Sequence, residues 1–354
     1  HPDMKAHHTI LLSLAVPALW AFSTPGDRLA FAPAEGTTLT KTFSNTVELT
    51  LDEMSMVMNG EEQDMSMLGM EMTMTNVSEL EFTDTYTRMA DGRPGQLERS
   101  YESLGNTTST SQSNQMMGST DLDIPSRSEL EGETVLFTWD EEEGAYVATF
   151  PEDADSDEAL LEGLEEDTDL RGFLPSGEVA EGDTWEVDTE YLVHLMAPGG
   201  DLKLLPEEVD GMGGMGDPTS ELGFSEMLGD IEGDVSCEYK GLRDGLAVIA
   251  VEMEISSTND LTEMIRAAME DADMGAMGAE IDFHGVNVDM EIEGEGTLLW
   301  SPEAGHFTSF EFSGDMEQVM EMAMAASTPM GDMEMEQTIT MSGNLNFVFE
   351  ASEE

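Results

Sequence analysis

Methionine is the residue type with the most distinctive chemistry here, because this chain of 354 residues contains 30 of them. Many occur at alternate positions, in two groups. The first group consists of Met54, Met56, Met58, Met70, Met72 and Met74. The second group consists of Met316, Met320, Met322, Met324, Met333 and Met335. A thioether is a soft ligand that selects Cu(I), so the first group supplies candidate metal ligands.

Alternate residues of a β-strand point to the same side, which leaves three interpretations of the methionine pattern open. Methionine can fill an apolar core face in place of Val or Ile. It can form an adaptable surface for an apolar ligand, for which the second group supplies the candidates. It can also bind Cu(I), although neither group contains the histidine that a copper site commonly adds. Solvent exposure of the methionines distinguishes a core from a groove.

The other clusters of polar residues match no known chemistry. Asp153 to Glu158 begins like a calcium loop, but Glu158 stands where the loop needs Gly, and Leu164 stands where it needs Glu. The segment therefore predicts an acidic loop with weak affinity for divalent cations. The sequence contains no Gly-x-Ser-x-Gly, His-Glu-x-x-His or phosphate-binding glycine loop. We expect no catalytic residues, no cofactor and no enzymatic activity.

The charge balance narrows the range of partners. The chain has 77 acidic and 12 basic residues, and its formal net charge is -65. Such a surface repels nucleic acid and anionic membranes, which leaves an apolar small molecule or a protein as the expected partner. It also repels itself, so the melting temperature should rise with added salt.

The first residues predict export. Lys5 precedes the apolar stretch Ile10 to Phe22, which is long enough for a signal-peptide core and too short to span a bilayer. We expect residues 1–23 to be a signal peptide cleaved after Ser23, with an N-terminal anchor helix as the alternative. The mature protein is then secreted or periplasmic. The single cysteine, Cys237, excludes an intramolecular disulfide and lies on the apolar side of a predicted strand.

Period-two alternation of apolar and polar residues dominates the rest of the chain and predicts β-strands. We expect a mainly β fold with long antiparallel strands in two sheet-based halves, open or half-barrel-like, and a few short helices. The proposed domains are an N-terminal β-rich domain (24–196), a Gly/Met-rich linker (197–218) and a C-terminal antiparallel domain (219–354). Whether the two halves are a duplication stays open.

Several local predictions follow from the same pattern. Trp185 to Leu195 alternates like a strand, whereas Asn106 to Thr120, rich in Thr and Ser, predicts a loop. An amphipathic helix is predicted over 259–273, capped by Asn259, and short helices over Asp157 to Glu166 and Ser220 to Leu228. A turn at Thr328 to Asp332 predicts a long hairpin.

In general character, the chain resembles uncharacterised secreted, acidic, β-rich bacterial proteins. The segment Gly177 to Trp185, Gly-Glu-Val-Ala-Glu-Gly-Asp-Thr-Trp, carries this resemblance as a turn that leads into a strand. In broad architecture alone, the predicted sheet is also similar to the half-barrel carriers that move lipoproteins or lipids across the periplasm. The resemblance implies no activity. The methionine pattern favours an exported, non-catalytic binding protein, with a periplasmic Cu(I)-binding protein and a structural or envelope-associated protein as the alternatives.

Overall fold

The computed structural model describes residues 26–63, 69–114, 118–152, 154, 156–207, 229–271, 280–328 and 331–353. The predicted signal peptide, the predicted helix at Ser220 to Leu228 and the second half of the predicted linker (208–218) lie outside these ranges. So do Asp153 and Asp155 of the calcium-like loop.

Sixteen strands and two α-helices make up the described fold. The strands of the first half are β1 (Asp27–Arg28), β2 (Thr38–Met58), β3 (Glu61–Gln63), β4 (Glu71–Ala90), β5 (Arg93–Asn114), β6 (Gly118–Arg127), β7 (Thr134–Asp140), β8 (Ala145–Thr149), β9 (Glu178–Val179), β10 (Thr184–Glu186) and β11 (Leu205–Pro206). The others are β12 (Asp230–Arg243), β13 (Leu246–Asp260), β14 (Glu280–Ser301), β15 (His306–Thr328) and β16 (Gly331–Glu353). The helices are α1 (Leu192–Met196) and α2 (Thr262–Asp271).

Fourteen of the strands form one antiparallel sheet. Its order is β10-β12-β13-β14-β15-β16-β2-β4-β5-β6-β11, with β3 beside β2 and the β7–β8 hairpin beside β5. The first and last strands of this order do not pair, so the sheet is open. β1 and β9 form a separate two-stranded sheet. The mainly β, antiparallel fold predicted from the alternation is confirmed.

The last strand connects the two halves of the chain. β16 pairs with β2 from Glu353↔Leu39 to Met335↔Met58, so strands of both proposed domains belong to the same sheet. The division into two domains stays a prediction. The hairpin predicted around residues 328–332 is present, because β15 and β16 pair down to Thr328↔Gly331.

The main hydrophobic core lies between one side of the sheet and a covering segment, residues 164–202. Alternation directs side chains such as Phe82 and Phe347 to this side, where both are fully buried. The covering segment contributes Phe173, Leu192 and Leu195, which are equally buried. Cys237 lies in the same core, 1% exposed, as predicted, and burial raises the pKa of its thiol to about 12.

Three local predictions are wrong. The strand predicted from Trp185 to Leu195 ends at Glu186 and is followed by a 3-10 turn and α1, because Tyr191, Leu192 and Leu195 pack on the sheet as part of its cover. Asn106 to Asn114 belongs to β5 rather than to a loop, since its β-branched Thr residues fit a pleated strand. The predicted helix at Asp157 to Glu166 is only the 3-10 turn Glu158–Leu161.

The helix predicted over 259–273 begins later than expected. β13 continues to Asp260. The carboxylate of Asp260 accepts a hydrogen bond of 3.0 Å from the backbone N–H of Thr262. Asp260 therefore caps the helix in place of Asn259. The hydrogen bonds from Thr262 also hold the pKa of Asp260 below its usual value.

Candidate functional site

Eight methionines of β2, β15 and β16 share the core-facing side of the sheet, and we call this surface the methionine face. They are Met54, Met56, Met58, Met320, Met322, Met324, Met333 and Met335. All eight are half-buried, in contrast to the fully buried side chains of the main core. The face therefore unites members of both sequence groups, which lie more than 260 residues apart in the chain.

A β-bulge in β2 places its methionines on this side. Met341 of β16 pairs with Leu51, whereas the preceding Thr340 pairs with Glu53, so β2 contains one extra residue at this point. The extra residue changes the parity of the strand. Leu49 and Leu51 are followed on the same side by Met54 rather than by Glu53.

Strand register arranges the methionine face in rows across the sheet, with directly opposite residues on the same side. One row contains Met324, Met335 and Met58, and β3 extends it with Glu61. The next row contains Met322, Gln337 and Met56, and the third contains Met320, Ile339 and Met54. Seven of the eight methionines thus lie in a regular grid around the side chain of Gln337.

Helix α2 lies at the β14 side of this grid. Ile265 of the helix and Leu261, which directly precedes it, form a small buried cluster with Phe283, Val286 and Val288 of β14. Met320, Met322 and Met324 pack against this cluster. Within the part of the chain that the structure describes, Met54, Met56 and Met58 belong to neither buried cluster.

The remaining methionine candidates lie elsewhere. Met316 is 3% exposed and belongs to the main core. Met72 and Met74 pack against that core from β4, and the Met70 sulfur accepts a hydrogen bond of 3.4 Å from Gln112. The β2–β4 ladder ends at Thr50↔Thr73, before the methionines of β2 begin. The structure thus separates the two halves of the predicted metal-ligand group onto different parts of the sheet.

A second feature, missed in the sequence, is a buried ionic cluster on the main-core side of β2, β4 and β5. Lys41, Asp84 and Arg99 are each 0% exposed. Asp84 lies directly opposite Arg99, which donates to both of its carboxylate oxygens, at 2.7 and 2.9 Å. The Lys41 ammonium donates to the same carboxylate at 2.7 Å.

The covering segment supplies the other half of the ionic cluster. Lys41 Nζ donates to Asp169 at 2.5 Å and to Thr168 at 2.9 Å, and Tyr86 also donates to Asp169. Arg99 donates to the backbone carbonyls of Glu165 and Glu166 at 3.0 and 2.8 Å. These bonds join residues more than 60 positions apart in the chain and attach residues 165–169 to the sheet.

Burial and nearby charges shift the pKa values of several side chains in and around the ionic cluster. Burial alone would raise the pKa of Asp84, but Arg99 and Lys41 hold it well below its usual range. Burial raises the pKa of Glu166 to about 7, although Arg171 opposes the rise. The Glu165 carboxylate, whose Oε2 lies 2.6 Å from Nδ1 of His194, raises the pKa of His194. Since Lys41, Asp84 and Arg99 are closed to solvent, the ionic cluster stabilises the fold rather than forming a surface that a substrate can reach.

A signal for the ionic cluster was present in the sequence. Lys41 stands between Leu39 and Phe43 at apolar parity, and Asp84 stands likewise between Phe82 and Tyr86. Arg99 stands between Leu97 and Tyr101. Three charges at core positions of three strands indicate mutual pairing, because an unpaired charge is too costly to bury.

The opposite side of the sheet carries an acidic groove of about 800 Å³. A row of directly opposite carboxylates crosses it, formed by Asp234, Glu254, Glu293 and Asp315 on β12 to β15. Like charges placed directly opposite each other destabilise a sheet. The groove therefore concentrates the repulsion that the net charge predicts.

Within the described ranges, no three His, Cys, Asp or Glu side chains are grouped so as to hold a metal ion. His306 is buried, and its Nδ1 lies 2.6 Å from the carbonyl oxygen of Phe307. The described helices include none with the length and apolar character needed to cross a membrane. Comparison of the chain with protein-family models, with curated proteins and with solved structures gave no match.

Proposed function

We propose that the protein is an exported, non-catalytic binding protein that holds an apolar small molecule on the methionine face. The observation that carries this proposal is the half-burial of eight methionines on one side of three adjacent strands. Flexible, polarizable methionine surfaces adapt to apolar ligands of different shapes. The apolar stretch at Ile10 to Phe22 supports export.

The size of the methionine face favours a small molecule. From β15 to β2 the face spans two strand spacings, or about 10 Å, and its three rows extend about 14 Å along the strands. A stable protein interface buries about 800 Å² on each partner, several times this area. The net charge of -65 further favours a neutral or cationic ligand over an anionic amphiphile.

The location of the charged groups supports a non-catalytic role. Asp84 and Arg99, whose pKa values are strongly shifted, belong to the ionic cluster, whose Lys41, Asp84 and Arg99 are closed to solvent. A catalytic acid or base must come within hydrogen-bond reach of its substrate. The methionine face contributes thioethers and the Gln337 amide, neither of which transfers protons near neutral pH.

Titration with Nile red, a neutral apolar dye, tests the proposal. The informative variant replaces Met56 and Met322 by Gln, because these residues flank Gln337 in the middle row. We expect saturable fluorescence enhancement with the wild type and at least a tenfold weaker affinity in M56Q/M322Q. The matched control is Met264→Gln, a methionine of α2 that is 37% exposed and outside the face.

Circular dichroism melting would verify that each variant is folded. Equal affinity of M56Q/M322Q and the Met264→Gln control would refute the methionine face as the binding surface. Absence of saturable binding to the wild type would refute the proposal as a whole.

A further inference from the structure

Three methionines of the methionine face lie directly opposite one another on adjacent strands. Met324 of β15 pairs with Met335 of β16, and Met335 pairs with Met58 of β2. We call this row the thioether row. Two of its members come from the second sequence group and one from the first, so neither group alone predicted it.

The register brings these side chains within reach of a common point. Directly opposite residues on one side of an antiparallel pair have Cβ atoms about 4.5–5.5 Å apart. Each methionine has three rotatable side-chain bonds, which allow its sulfur to move toward its neighbour. All three are half-buried, so they are shielded by their neighbours and still open to an entering ion.

We infer that the thioether row of Met58, Met335 and Met324 is a binding site for a soft monovalent metal ion, with Cu(I) as the physiological ion. Thioether sulfur selects Cu(I), whereas Mg²⁺ and Ca²⁺ prefer oxygen ligands. Trigonal coordination by three neutral sulfurs leaves the charge of the ion uncompensated within the site. Glu61 lies next to Met58 in the same row and is exposed, and the net charge of -65 adds a favourable field.

The chemistry of the thioether groups also determines how the affinity for the metal ion depends on pH. Thioethers carry no proton in the accessible range, so the metal displaces none when it binds. Affinity should therefore be nearly constant between pH 5 and 8, unlike that of a histidine or cysteine site. This inference rests on strand register and does not depend on the proposed apolar ligand.

The test measures Cu(I) affinity by competition with a chromophoric Cu(I) chelator under reducing conditions. Native mass spectrometry with Ag(I), a soft monovalent ion that resists oxidation, gives the stoichiometry. The informative variant is M58L/M335L/M324L, because leucine removes sulfur while it keeps the face apolar. The matched control is M70L/M72L/M74L, which removes two methionines of β4 and the alternate methionine Met70 directly before it.

We expect one ion per chain in the wild type and in the control. M58L/M335L/M324L should bind at least a hundredfold more weakly, and the single variant Met335→Leu at least tenfold more weakly. Nile red titration of the wild type separates the two sites: saturable Nile red binding without Ag(I) binding would be failure of the metal site alone, and Ag(I) binding without saturable Nile red binding would be failure of the apolar site alone.

Equal metal affinity of the two triple variants would overturn the inference, as would a wild type that binds no Ag(I). A loss of affinity in M70L/M72L/M74L alone would move the site to β4 and equally overturn it. If the triple variant fails to fold by circular dichroism, the result for Met335→Leu decides between these outcomes.

Discussion

At the scale of single residues, the unusual feature is a set of charges at core positions. Lys41 and Arg99 lie fully buried around the carboxylate of Asp84, which accepts hydrogen bonds from both. Such a cluster is stable only when every charge has a partner, because desolvation of an ion costs several kcal/mol. The nearby Glu166 is less well compensated, and burial raises its pKa to about 7.

This raised pKa makes stability depend on pH. A carboxyl group whose pKa is higher in the folded than in the unfolded state stabilises the fold fully below its unfolded value, which is 4.5 for Glu166. That stabilisation is lost as the pH rises through about 7. We expect the melting temperature to fall by several degrees between pH 5 and 8.

The variant Glu166→Gln should flatten this profile, because Gln does not ionise. The pKa of His194 is also raised, so its stabilising contribution is lost with rising pH in the same way. His194→Gln should therefore remove a second and separate part of the slope. Thermal melts at half-unit pH intervals measure both effects, and an unchanged slope in Glu166→Gln would contradict the assignment.

At the scale of elements, the ionic cluster attaches the covering segment to the sheet. Residues 165–169 receive hydrogen bonds from Lys41 on β2 and Arg99 on β5. The same segment carries Phe173, Leu192 and Leu195 onto the core. The position of the cover, and with it the burial of the main core, therefore depends on these bonds.

Asp84→Asn tests this attachment. The substitution leaves Lys41 and Arg99 buried with less negative charge, and we expect a loss of about 3–5 kcal/mol in the free energy of unfolding. The control is Lys240→Met, which breaks the exposed ion pair with Glu238 and should cost about 1 kcal/mol or less. Urea unfolding measures both, and equal losses would show that the cluster does not stabilise the fold.

The pairing of the strands also determines which methionines lie together on one surface. The bulge opposite Thr340 and Met341 turns the methionines of β2 toward the core-facing side, and the β16 register aligns them with β15. Without the extra residue, Glu53 would share that side with Leu51. The methionine face is therefore a product of strand pairing rather than of methionine content.

At the scale of the whole molecule, charge repulsion is the main destabilising force. The row of carboxylates across the acidic groove, here called the acidic row, places like charges directly opposite each other, and Glu254↔Glu293 is its central pair. Salt screens exposed charges, with a Debye length of about 10 Å at 0.1 M. The melting temperature should therefore rise clearly between dilute buffer and molar salt.

Glu293→Gln should raise the melting temperature at low salt and reduce its dependence on salt. Glu303→Gln is the matched control, because Glu303 is exposed in the turn between β14 and β15, away from the acidic row. Both variants change the net charge by one, so a difference between them measures the local repulsion. A melting temperature that is independent of salt would contradict the whole-molecule explanation.

The sequence by itself determined the mainly β fold, the long terminal hairpin and the buried position of Cys237. These follow from period-two alternation and turn residues, which are local properties of the chain. It also indicated helix α2, with a start displaced by three residues because β13 extends to Asp260. The wrong strand at Trp185 to Leu195 had a tertiary cause, since packing on the sheet overrode its alternation.

Tertiary structure alone decided which distant residues meet. The thioether row requires the registers of both β15–β16 and β16–β2, and the ionic cluster requires the covering segment to lie on three strands. Register depends on bulges and on long-range pairing, which single-strand patterns do not contain. The sequence thus supplied the methionines and the core-parity charges. The pairing of β2 with β16 brought the methionines together, and the pairing of β2, β4 and β5 brought the charges together.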